Sequence, residues 1–187
     1  MKRRLWQRIL SLALLFAMAI ILVNPVTAQA KTKKLKLPYA LFNVPQESYI
    51  ESKAVTINKA GNYKVELARS GGNYSGFIKF VVPKTKKYTF TFSNLRAKGK
   101  SSCLASVDFS YPTGTEDQIS QLDGNSKGGY HNSYPFAYKI PGKKGRYNVA
   151  KRAVYYQLTE GQVVYINIMN SYYSTKGKKL TFNLQIK

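Results

Sequence analysis

The chain has 187 residues, with 30 Lys and Arg against 8 Asp and Glu, and a formal charge of +22. Hydrophobic residues make up 44% and aromatics 13%, which excludes a disordered polybasic tail and implies a packed core. One Cys and one His are too few for an internal disulfide or for a zinc site, which needs at least three N or S ligands.

Met1 to Arg8 is basic, Ile9 to Val23 is apolar apart from Ser11, and Ala28-Gln29-Ala30 offers small residues on either side of a spacer. This is the pattern of a secretory signal peptide over residues 1–30, its apolar stretch forming a short helix and cleavage falling after Ala30. A bilayer-spanning helix would need roughly 20 apolar residues. The mature chain is expected to begin at Lys31, to lie outside the cell or at its surface, and to keep 26 basic and 8 acidic residues, a charge of +18.

Residues 31–53 open with four lysines in six positions and show no clear period through Pro38, Tyr39, Phe42 and Pro45, so they read as a basic arm ending at most in an edge strand. From residue 54 the apolar period is two, the spacing of half-buried strands. Strands are expected at 54–58, 63–68, 76–82, 88–92, 102–111, 152–158, 163–169 and 180–186. Leu180, Phe182, Leu184 and Ile186 share one face, with Thr181, Asn183 and Gln185 on the other. Turn residues fall between strands at 59–62, 70–73, 83–86 and 159–162. Eight short strands without a helical period make residues 54–187 an all-β domain, an antiparallel β-sandwich or jelly roll. Residues 112–150 form one long loop with six Gly, three Pro and five aromatics, a length that usually carries function.

Two segments carry a resemblance. Gly76-Phe77-Ile78-Lys79-Phe80-Val81-Val82-Pro83, followed by Lys87-Tyr88-Thr89-Phe90-Thr91-Phe92, resembles the strand-turn-strand of bacterial pre-peptidase C-terminal domains. Leu158-Thr159-Glu160-Gly161-Gln162-Val163-Val164-Tyr165-Ile166-Asn167-Ile168 resembles the closing strand of that family. The resemblance implies a secreted, non-catalytic β-sandwich accessory module.

Cys103 lies among Leu104 and Ala105 at the start of a strand, as a small buried thiol does, and His131 sits in a loop, so no nucleophile and base are expected between them. Half of the eight acids, Asp108, Glu116, Asp117 and Asp123, fall within sixteen residues. Turn capping explains such a cluster. A Ca²⁺ site at Asp117 and Asp123 is the metal reading, although their spacing is not that of an EF-hand, and an acid pair of a small secreted hydrolase is the catalytic one. No other cofactor is expected.

Basic residues gather at strand ends, and a charge of +18 must attract polyanions in a salt-sensitive way. No nucleic-acid motif accompanies them, so sequence-specific nucleic-acid binding is not expected, whereas weak association with anionic membrane surfaces is. Fifteen Tyr include Tyr155-Tyr156 and Tyr172-Tyr173, each pair placing one ring on either side of the chain. Tyr130, Tyr134, Tyr138 and Tyr147, with Lys143, Lys144 and Arg146, form the candidate ligand platform, with rings for sugar faces and cations for acidic groups. The expected function is a non-catalytic binding or accessory module for cell-surface glycan or anionic wall polymer. The alternatives are the hydrolase and a partner or inhibitor of an exported enzyme that docks through the long loop.

Overall fold

A computed structural model describes residues 31–41, 44, 46–67, 74–114, 117–122, 133–140, 149–170 and 178–187. The expected signal peptide lies outside the described residues, and Lys31–Lys187 form one compact unit. Among the described residues no helix is long and apolar enough to cross a membrane.

Two sheets build the unit. The first orders β1 (Lys33–Leu37), β4 (Gly61–Leu67), β12 (Leu180–Ile186), β6 (Lys86–Ala97) and β10 (Lys151–Leu158) side by side. In the second, β5 (Tyr74–Val81), β11 (Val163–Asn170) and β7 (Cys103–Pro112) are central. The short strands β2 (Ala40–Leu41) and β3 (Val55–Ile57) flank β5, while β8 (Ile119–Gln121) and β9 (Ser133–Tyr138) flank β7. All eight expected strands are present and the class is an all-β sandwich. Two pairings, β1 with β4 and β3 with β5, are parallel, so the sheets are not purely antiparallel.

Period-two patterning explains the core. From β6, Tyr88, Phe90 and Phe92 point between the sheets, and from β12 come Leu180, Phe182, Leu184 and Ile186. The second sheet answers with Ile78 and Phe80, Val107 and Phe109, and Val164, Ile166 and Ile168. Phe109 is the hub of the aromatic packing, with its ring centroid 5.2 Å from Phe90, 4.8 Å from Tyr156 and 6.0 Å from Tyr134. Each fully buried ring of this kind contributes about 1.5–3 kcal/mol by leaving water.

In β6 the buried positions change phase, from Phe90 and Phe92 to Leu95 and Ala97. Asn94 lies between them with φ 55, where the pairing with β12 shifts register. It is the extra residue of a β-bulge, and its left-handed backbone returns the apolar face to the core.

The stretch 31–53 joins this body. Leu35 and Leu37 of β1 are core residues, and α1 (Glu47–Lys53) packs on the outer face of the second sheet. Ile50 forms a second apolar cluster there with Ala40, Phe77 and Tyr165. The Tyr165 hydroxyl donates to Glu47 Oε1 at 3.0 Å and Glu51 Oε1 at 2.9 Å, and Glu51 pairs with Lys79. The Lys79 and Tyr165 bonds hold the Glu51 carboxyl below its usual range, while burial, then these two carboxylates, push the Tyr165 phenol far above its own.

The region 112–150 is not all loop, since it supplies β8 and β9. Tyr134, Phe136 and Tyr138 alternate along β9 and face inward. Pro135 fits because β9 is an edge strand; its carbonyl accepts a bond from Arg152 Nε at 2.8 Å.

Candidate functional site

Of the expected ligand residues, only Tyr134 and Tyr138 are among the described residues. Tyr134 is 3% exposed because it is an inward residue of β9, packed on Phe109. Tyr138 is half-buried under the Arg96 guanidinium, whose carbon stands 3.5 Å from the ring centroid. Tyr130, Lys143, Lys144, Arg146, Tyr147 and Asp123 lie outside the described residues.

Asp117 has a structural task that accounts for its carboxylate. Its Oδ1 accepts the Ser48 backbone N–H at 2.8 Å, its Oδ2 accepts the Ser48 hydroxyl at 2.5 Å, and its carbonyl accepts the Glu47 N–H at 2.9 Å. These bonds satisfy the first turn of α1. Among the described residues no three His, Cys, Asp or Glu side chains gather as metal ligands. Cys103 is fully buried, and desolvation pushes its thiol up to about 11, out of the range of a nucleophile at neutral pH. Asp108 points out of β7, and it is the only carboxylate among the described residues lining the cavity beside it.

The outer face of the first sheet is where charge and exposure coincide. Strand pairing lines up Lys34, Lys64, Asn183, Ser93 and Lys151 across all five strands. At about 4.8 Å per strand this row is about 19 Å long. Lys34, Lys64, Asn183 and Lys151 are exposed. Beside it runs a row of Asn62, Gln185 and Thr91, in which Gln185 Nε2 donates to Asn62 Oδ1 at 2.8 Å. A depression of about 250 Å³ opens over these amides, Ser93 and Lys151, and another of about 180 Å³ over Lys34, Lys36, Lys64 and Glu66.

Glu66 is bonded to Lys179 at 2.6 Å, an interaction that holds its carboxyl below the usual range. The other ion pair among the described residues, Lys79 with Glu51, is on the second sheet. Lys34, Lys64 and Lys151 therefore have no ion-paired acid among the described residues. Tyr155 lies on the same face, 39% exposed, with Lys87 Nζ 5.3 Å from its ring centroid, while Tyr156 is buried. The alignment of these lysines depends on pairings between strands far apart in sequence.

No family model matches the sequence, and no curated protein matches it. Solved structures similar to the chain at low identity include the following three. The CBM22-1–GH10 modules of a Clostridium thermocellum endo-1,4-β-D-xylanase, complexed with xylohexaose, align at 10% identity over 65% of this chain and 20% of that one, with a TM-score of 0.38. CorA, a surface-associated copper-binding protein of Methylomicrobium album, aligns at 9% identity over 83% and 98%, TM-score 0.37. PliG, a periplasmic inhibitor of g-type lysozyme from Aeromonas hydrophila, aligns at 9% identity over 83% and 99%, TM-score 0.29.

Proposed function

We propose that the mature chain is a secreted, non-catalytic β-sandwich module that holds an anionic cell-surface polymer, glycan or wall polymer, on the open face of the first sheet. The observation that carries this reading is the row Lys34–Lys64–Asn183–Ser93–Lys151. Its lysines lack acid partners among the described residues, so a polyanion crossing the strands meets cations at both ends and hydrogen-bonding amides and hydroxyls in the middle. Tyr155 adds an aromatic surface at one edge. Lysine ammoniums are point charges that accept many anion geometries, which suits a repetitive polymer better than a single shaped ligand. The strand motifs that resemble pre-peptidase C-terminal domains accord with an accessory role.

The test is retention of protein beginning at Lys31 on anionic wall material across a salt series. Retention at low ionic strength that is lost by about 0.5 M salt, where screening acts within a few ångströms, is the expected result. Retention indifferent to salt contradicts the reading. Secretion is tested separately by N-terminal sequencing of exported protein, which should begin at Lys31.

A further inference from the structure

Charge is unevenly laid out on the open face of the first sheet. On the β1 side Lys34, Lys36 and Lys64 border the depression of about 180 Å³, and its acid, Glu66, is already bonded to Lys179. On the β10 side Lys151 borders the other, of about 250 Å³. Between Lys64 and Lys151 the row passes through Asn183 and Ser93, and the next row through Asn62, Gln185 and Thr91, none of them charged.

Three strand spacings separate Lys64 from Lys151, a cation-free gap of about 14 Å. Other cations keep to the rim: Lys36 opposite Glu66, Arg96 stacked on Tyr138, and Lys187 two positions past Gln185. The centre suits hydrogen bonding instead. Gln185 Nε2 donates to Asn62 Oδ1, and the two amides, with Asn183, Ser93 and Thr91, offer both donors and acceptors. The depression over them has the volume of about eight water molecules, room for one ring-sized unit.

We propose that the polymer held here carries its anionic groups at intervals, alternating with neutral hydroxyl-bearing units. One anionic group sits among Lys34, Lys36 and Lys64, a neutral unit lies over the amides, and a second anionic group meets Lys151. This rests on the open face of the first sheet being a polymer site, and it narrows the polymer to one charge pattern. A polyanion charged at every unit fits less well, because it sets a charge over a centre without cations and costs that charge part of its hydration. Nucleic acid, with one charge per about 1.7 Å of duplex axis, is the extreme case. Non-specific attraction to a basic protein runs the other way, growing with the charge density of the polymer. A preference for the sparser charge is therefore a signature that net charge cannot produce.

The experiment compares two carboxylate polymers of matched chain length by calorimetry at one low ionic strength, with protein beginning at Lys31. Hyaluronan alternates a uronic acid with a neutral N-acetylhexosamine, whereas polygalacturonate bears a carboxylate on every ring. Hyaluronan is expected to bind at least about fivefold more tightly, the effect of one hydrogen bond kept at the centre. Asn183→Lys, a cation set into that centre at an exposed position, should remove or reverse the preference. Lys34→Gln with Lys64→Gln and Lys151→Gln should weaken both polymers. Equal affinities, tighter polygalacturonate, or a preference that survives Asn183→Lys, in a protein whose binding the triple variant weakens, overturn the alternation and leave the open face as a polymer site. Binding of neither polymer, or binding that the triple variant does not weaken, overturns the alternation and the open-face site together.

Discussion

Asp117 reaches across 69 residues of sequence to accept the backbone N–H of Ser48 at 2.8 Å. With its other carboxylate oxygen on the Ser48 hydroxyl, it ties the region before β8 to the first turn of α1. Gln46, at the N-cap position, makes no side-chain cap bond, so the cap comes from a distant residue. Asp117→Ala should cost about 1–2 kcal/mol, the usual range for a lost cap, and lower the melting temperature by a few degrees. Thermal unfolding of the variant checks this. Because both oxygens are engaged, the parent should show no melting shift with millimolar Ca²⁺.

Gly76 faces inward, where a Cβ would lie 2.7 Å from Leu67 Cδ1 and 3.0 Å from Leu37 Cβ. Only a hydrogen fits where the two sheets come this close. Gly76→Ala should destabilise the fold by about 1–3 kcal/mol through overpacking, measured by denaturant unfolding. Pairing it with Leu67→Val should recover part of the loss.

Asp108 governs the pH dependence of stability in a window of its own. Burial pushes its carboxyl up to about 6 from the ordinary 3.8, with the Ser133 hydroxyl pulling the other way. A folded pKa above the unfolded one means the proton binds more tightly in the native state. The associated stability is complete below about pH 4 and is lost as pH rises through about 6, at most about 3 kcal/mol. Glu51 and Glu66 shift the opposite way, and their contributions are lost as pH falls below the usual 4.5. Between pH 4.5 and 7 the parent should therefore lose stability with rising pH. Asp108→Asn should flatten that slope in denaturant titrations.

Cys103 is fully buried and its thiol stands near 11. A thiol reagent at pH 8 should leave it unmodified in the native protein and label it completely in denaturant, as read by mass spectrometry.

The sandwich was legible in the sequence because the period of two in β6, β7, β11 and β12 matches a half-buried pleat closely, and Tyr155-Tyr156 divides between solvent and core as alternation requires. β9 was missed although Tyr134, Phe136 and Tyr138 alternate, because the surrounding Gly and Pro residues read as loop and Pro135 as a break. An edge strand tolerates that proline. The same alternation carries Tyr134 inward, away from a surface platform. Short β1 and α1 leave weak local signals, since their stability comes from Leu35, Leu37 and Ile50 packing on strands distant in sequence. The lysine row is a property of register, which composition does not encode.

The most direct test of the open-face account compares two charge-matched triple variants for retention on anionic wall material at low salt. Lys34→Gln with Lys64→Gln and Lys151→Gln empties the row. Lys84→Gln with Lys98→Gln and Lys100→Gln removes the same charge from exposed turn positions. The account predicts that the first variant loses retention while the second keeps most of it; equal loss in both would show that net charge alone drives association and would contradict a site on the first sheet.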